Sequence, residues 1–327
     1  MASVCLGTFC GGVRLEDTLD IRRRHARHLR LELGAAGACP TFASVLSVGH
    51  TVFPIGVADF QYVEYRGCRL SYCISGDGPP VLMIQGAGMH GDGWLPQVEG
   101  LSDQFRCLRF DNRGMARSQP IGASLTIEQM AEDARVLMDA AGLESAHVVG
   151  HSMGGLIAQH LAIAEPSRVR SLALLCTFAR GTEATGLRPD MFWLGLRTFI
   201  GTRRTRRRAF LEMVFPRDYL RNVDRDALAE QLTPLFGHDL ADHPPVIRQQ
   251  LAAISRCDAT PNLHELASIR TLVVSAAHDP IARPSAGKAI AAGIPGSRYV
   301  ELPDASHGAP IQFAKEINHL LREHFSG

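Results

Sequence analysis

Ser152 stands in Gly150-His151-Ser152-Met153-Gly154, a G-x-S-x-G pattern with the apolar run 146–149 before it and the helix-forming run 155–162 after it. A serine on such a strand-to-helix turn sits on strained backbone with its hydroxyl exposed. The flanking glycines let strand and helix approach where a Cβ would collide. The helix start beside the serine favours negative charge, which a forming oxyanion carries. A serine hydroxyl becomes a nucleophile only when a base takes its proton and an acid orients that base and balances its charge. The apolar run 272–277 leads into His278-Asp279-Pro280, and the run 299–302 leads through Pro303-Asp304-Ala305-Ser306 to His307. Asp279 and His307 thus both follow strands, at the sheet edge where open α/β sheets gather their sites. Ser152, Asp279, His307 is also the chain order of a nucleophile carried on a strand turn. Asp258 and Asp304 are rival acids; Asp304 lies only three residues before His307, too near in the same loop to orient it. A glycine-rich loop, 85–94, follows the run 81–84. The N–H groups of Ala87 and Met153 are the expected oxyanion donors. A phosphate-binding reading of this loop fails on the missing G-x-x-x-x-G-K-[ST] pattern.

Positioning these residues takes alternating strands and helices. Residues 61–66 and 69–75 read as a hairpin about Gly67, and 81–84, 105–110, 146–149, 169–175, 270–276 and 298–302 as further strands. Helices are expected over 126–141, 153–164, 285–292 and 309–324; in the first, Ile127, Met130, Ala134, Leu137 and Met138 recur at i, i+3 and i+4. The implied class is α/β, a mostly parallel, doubly wound sheet covered on both faces. The alternation lapses over 178–257, where helical stretches at 191–200, 206–214, 226–235 and 246–255 are separated by glycine and proline. The expected organisation is a core over 59–177 and 258–327, a helical insert over 178–257, and a poorly ordered or misassigned extension over 1–58.

Composition narrows the function classes. Across 327 residues, Lys+Arg 34 against Asp+Glu 33 leaves a net charge of +1, so no nucleic-acid partner is expected. No run of eighteen apolar residues exists, so no membrane insertion is expected. The 8 cysteines include no C-x-x-C and no zinc-type pairing, so no metal is expected. They read as small buried residues in a reducing compartment, and the amino terminus lacks the order of a secretory signal, which makes the cytoplasm the expected location. The basic run 203–208 reads as a solvated helix face.

The chain resembles the α/β-hydrolase superfamily, in its lid-bearing group of esterases, haloperoxidase-like enzymes and carbon–carbon bond hydrolases. The motifs that carry the resemblance span residues 60–327. They are the turn around Ser152, Asp111-Asn112-Arg113-Gly114-Met115-Ala116-Arg117-Ser118, Glu165-Pro166-Ser167-Arg168-Val169, His278-Asp279-Pro280 and Ser306-His307-Gly308. The resemblance implies an α/β-hydrolase-type sheet with a helical lid insert, and a cofactor-independent serine hydrolase acting on a small carboxylic ester or related acyl compound. It also implies that 178–257 is the lid, whose Phe178, Met191, Phe192, Trp193 and Leu196 line a substrate pocket together with Gln85. Other readings of the same triad are hydrolysis of a carbon–carbon bond in a vinylogous diketone, and acyl transfer or perhydrolysis; a slow or non-catalytic small-molecule sensor is the reading from another class. Two positions depart from the family pattern: Gln85-Gly86 stands where His-Gly is usual, and Ala116 where glycine is usual. Neither substrate identity nor oligomeric state is encoded legibly.

Overall fold

The computed structural model describes residues 44–48, 51–55, 59–122, 125–185 and 189–327. Eight strands form one sheet: β1 (Gln61–Tyr65), β2 (Cys68–Ser75), β3 (Pro80–Ile84), β4 (Arg106–Phe110), β5 (Ala146–His151), β6 (Val169–Leu175), β7 (Thr271–Ala276) and β8 (Arg298–Leu302). Their spatial order is β1-β2-β4-β3-β5-β6-β7-β8. β2 runs antiparallel to both neighbours, and every pairing from β4 to β8 is parallel. β5 and β7 are buried along their whole length, so both faces are covered and their sequences read as continuous apolar runs rather than alternating ones.

Alternation along the strands separates two cores. Val81 and Met83 on β3 and Leu272 and Val274 on β7 face one side, where helices α1 (Leu95–Leu101) and α9 (Ala314–Ser326) cover them with Val98, Leu101, Ile317, Leu321 and Phe325. Leu82, Ile84, Val148 and Leu172 face the other side, under α2 (Ile127–Ala140), α3 (Met153–Ala164) and α8 (Pro284–Gly293). α2 starts where it does because the Thr126 side chain accepts from the Gln129 N–H, a capping bond of the kind that stabilises a helix start by about 1 kcal/mol.

Between β6 and β7 the chain is helical: α4 (Pro189–Phe199), α5 (Arg203–Val214), α6 (Arg225–Phe236) and α7 (Ile247–Arg256). Leu211, Phe215, Leu228, Leu232, Leu235 and Phe236 give this segment a core of its own, which Met89 and Ile311 join to the rest. Its two ends lie side by side. The Gly181 N–H donates to the Cys257 carbonyl at 2.9 Å, the Ala259 N–H donates to the Ala179 carbonyl at 2.9 Å, and Arg180 pairs with Asp258 at 3.0 Å.

Two expectations need correction, and part of the expected extension is described. α5 starts at Arg203 rather than Arg206, because Thr202 caps it. The basic run is an outward-facing helix face, as expected, and its arginines find surface carboxylates. Arg203 and Arg207 pair with Asp239, Arg203 also with Asp242, and Arg204 and Arg208 with Asp226. The last helix is two, Ala309–Gln312 and α9, broken at Phe313. Within the expected extension, Ser44–Val48 and Thr51–Ile55 pair as an antiparallel hairpin; residues 1–43 lie outside the described residues.

Candidate active site

β5 ends in the turn that carries Ser152. Its backbone sits at φ 55°, ψ −122°, a conformation that costs a non-glycine residue of order 1–3 kcal/mol. The surroundings hold it there: Ser152 N–H donates to the Leu175 carbonyl at 3.1 Å, and Thr177 Oγ1 donates to the Ser152 carbonyl at 2.6 Å. The glycines are required by contact. A Cβ at Gly150 would run into the Gly154 backbone, one at Gly154 into the Ile84 carbonyl, and one at Gly155 into the Thr177 side chain.

The loops after β7 and β8 bring the other two residues in. His307 Nε2 lies 3.0 Å from Ser152 Oγ, and His307 Nδ1 lies 2.8 Å from Asp279 Oδ2. Asp279 Oδ1 accepts the N–H groups of Ile281 and Ala282, both at 2.8 Å, so the carboxylate is anchored by its own turn. With Nδ1–H donated to Asp279, the His307 Nε2 lone pair faces the serine hydroxyl, which is the tautomer a general base needs. All three side chains are buried. The rival acids are elsewhere. Asp258 binds Arg180 and the Thr260 N–H, and Asp304 is exposed on an outer cleft of about 820 Å³.

The loop after β3 closes the site opposite. Gln85 turns its side chain inward: Oε1 accepts the Gly86 N–H at 2.8 Å and lies 3.2 Å from His151 Nδ1, while Asn112 Nδ2 donates to the Gln85 carbonyl. Gln85 thus braces the loop in the position where the family usually has histidine. Gly88 N–H donates to Gln250 Oε1 at 2.9 Å, which ties the loop to α7. Ala87 lines the same cavity as Ser152. Met153 opens α3, so its N–H is among those at a helix start that have no intrahelical acceptor.

That cavity, about 290 Å³, lies over Ser152 and His307 and is walled by Phe178, Met191, Phe199, Phe210, Met213, Phe215, Phe236, Ile247, Leu251, Ile254 and Ile311. Phe178 is there as expected. Phe192 and Trp193 are not: both are more than 60% exposed, and Trp193 borders the outer cleft instead. Leu196 is also absent from the wall. Met191, Gly195, Thr198 and Phe199 of α4 face the cavity at i, i+4, i+7 and i+8, so helical periodicity within 191–200 was the signal that picks the inward face.

Three further residues escaped the sequence reading. His151 stacks obliquely on His307, with ring centroids 4.9 Å apart, and lies 3.0 Å from the His307 carbonyl through Nε2. Its burial, and secondarily the nearby His307, hold its pKa down to about 3, so the ring is neutral. Cys176 is fully buried at the end of β6; burial first, and the negative charge of Asp279 next, push its thiol far up, so it stays protonated. The third is Thr177, which nothing in its spacing marks.

Residues 79–314 match the family model of the alpha/beta hydrolase fold. The chain belongs to the α/β-hydrolase family. It is 32% identical over 264 residues to a protein of Azorhizobium caulinodans named as a carbamate hydrolase, RutD, covering 80% of this chain and 96% of that one. The enol-lactonase of Burkholderia xenovorans LB400 superposes with TM-score 0.69 at 29% identity, covering 82% of this chain and all of the other. A hydrolase of Pseudomonas aeruginosa gives TM-score 0.70 at 25% identity, covering 83% of this chain and all of that one.

Proposed function

We propose that this α/β-hydrolase-family protein cleaves a small carboxylic ester, open or cyclic, through an acyl-enzyme on Ser152. The observation that carries the reading is the unbroken hydrogen-bond line from Asp279 through His307 to Ser152 Oγ, beneath an apolar cavity. In this reading His307 Nε2 takes the Ser152 proton as Oγ attacks the carbonyl carbon. Asp279 stabilises the resulting imidazolium, and the N–H groups of Ala87 and Met153 receive the negative charge that develops on the carbonyl oxygen. His307 then returns the proton to the departing alkoxide, and water, deprotonated by the same nitrogen, releases the acid. The helical segment 178–257 serves as a lid whose apolar inner wall covers the acyl group and keeps bulk water off the forming oxyanion, while single water molecules reach His307 for the second step. The names of two relatives, for an enol-lactone and a carbamate, also describe acyl carbon attacked by a nucleophile.

The test is a fluorophosphonate probe with peptide mapping of the adduct, run beside p-nitrophenyl esters and lactones of increasing size. Ser152 should carry the adduct, short acyl groups should be preferred because the cavity is small, and Ser152→Ala should lower turnover at least about 10³-fold without changing the melting temperature. Ester cleavage at the wild-type rate by Ser152→Ala would overturn the assignment.

A further inference from the structure

The loop that carries the Ala87 N–H is held from two sides. Gly86 N–H donates to Gln85 Oε1 at 2.8 Å, which fixes the peptide before the one bearing the Ala87 N–H. Gly88 N–H donates to Gln250 Oε1 at 2.9 Å, which fixes the peptide after it. The Ala87 N–H itself has no acceptor among the described residues. Peptides are rigid planes that turn only about the φ and ψ between them, so a pinned plane on each side sets where that N–H points.

One pin belongs to the sheet's own loop and the other to the helical segment. Gln250 lies on α7 with its side chain fully buried. Its Nε2 is buried without a partner among the described residues, so the bond to Gly88 is the one its amide makes there. Burying an amide with one end unpaired costs free energy, so stability alone does not explain the residue. Ile247 of the same helix packs on this loop: a Cβ at Gly88 would come within 3.1 Å of its Cδ1. The Gly88 carbonyl lies 2.9 Å from His238 Nε2, also in the helical segment. Across the cavity the Val214 carbonyl accepts the Gly308 N–H at 2.7 Å, next to His307.

We propose that Gln250 is a positioning residue for the reaction. With α7 docked, it turns the 86–88 backbone so that the Ala87 N–H faces the carbonyl oxygen of bound substrate. Gln250 is not part of the cavity wall, so it acts through the loop. The helical segment thereby completes the oxyanion hole as well as roofing it. The inference rests on the reading of Ala87 and Met153 as oxyanion donors.

The rate of fluorophosphonate labelling of the full-length protein tests this. The phosphoryl oxygen occupies the oxyanion hole while Ser152 Oγ attacks phosphorus, its proton passes to His307 and fluoride leaves. Gln250→Met keeps the length and bulk of the side chain and removes the acceptor. It should label about tenfold more slowly, and ester turnover should fall as far in kcat with KM nearly unchanged. Gln250→Glu still offers an oxygen to the Gly88 N–H and should recover most of the labelling rate; a role in packing alone would not separate the two variants. Should Gln250→Met fail to fold, Gln250→Leu carries the same comparison. Wild-type labelling by Gln250→Met, an equal loss in Gln250→Glu, or a loss confined to KM would overturn the proposal. Failure of the underlying reading looks different: the wild-type protein would then not label at Ser152, and both would fall together.

Discussion

Asp279 makes no contact with Ser152, yet the base depends on it. Its Oδ2 holds His307 Nδ1 at 2.8 Å, while Oδ1 is saturated by two backbone N–H groups. An amide here would either turn its NH₂ towards Nδ1 and force the other tautomer, or keep its oxygen on Nδ1–H and set its NH₂ against the Ile281 and Ala282 N–H donors. Under the proposed mechanism, Asp279→Asn should cut ester turnover on the order of 10³–10⁴-fold while the fold is retained. A loss below about tenfold, measured with the melting temperature unchanged, would remove Asp279 from the mechanism. The residues of this line were legible because each follows a strand in a fixed order. Cys176 and Thr177 were not, since a cysteine and a threonine after an apolar run look like ordinary core. Only the folded β6 end brings them to Asp279 and to the Ser152 carbonyl.

Elements were legible in proportion to how their burial writes itself into sequence. The strands buried on both faces, 81–84 and 146–149, stand out as apolar runs, and α2 stands out by its spacing. Phe192 and Trp193 misled because bulk marks a helix as amphipathic without saying which side its neighbours occupy; the inward side of α4 is the Met191, Gly195, Thr198 and Phe199 face. The single-residue break at Phe313 is invisible to a periodicity that resumes immediately after it. Spacing between elements is set by small residues. Gly154 lets α3 start directly against the Ile84 carbonyl, and a Cβ there would meet that oxygen and the one of Gln85. Because both are backbone, neither can rotate away. Gly154→Ala should therefore push α3 off β3, lowering stability by about 1–3 kcal/mol and displacing Ser152. Thermal denaturation checks this, and a wild-type melting temperature would show that the approach has slack.

The whole molecule carries a pH dependence unconnected with the reaction. Burial holds His147 and His324 down to about 4, helped at His147 by Arg170 and at His324 by Arg270. His147 stacks on Phe325 and bonds Ser171, and His324 Nε2 donates to the Leu172 carbonyl. In the unfolded chain both titrate near 6.5. Between those values the unfolded state takes up protons that the folded state refuses, so stability falls as pH falls from about 6.5 towards about 4, by on the order of 2–3 kcal/mol for each histidine. Urea midpoints measured across that interval should decline, and less steeply in His324→Gln. A midpoint constant with pH, or equal slopes in the two proteins, would contradict this.

The pairing of residues 179–181 with 257–259 has a consequence for how this architecture varies. The ends of the helical segment are joined by backbone hydrogen bonds, so β6 and β7 pair in register whatever lies between. The entropic cost of the excursion is dominated by closing it. By loop-closure scaling, doubling its length would add only about 0.6 kcal/mol. Helices can thus be gained, lost or exchanged between those ends at little cost to the sheet, provided that the replacement restores the bonds by which Gln250 and the Val214 carbonyl hold the loops of Gly88 and Gly308 beside the site.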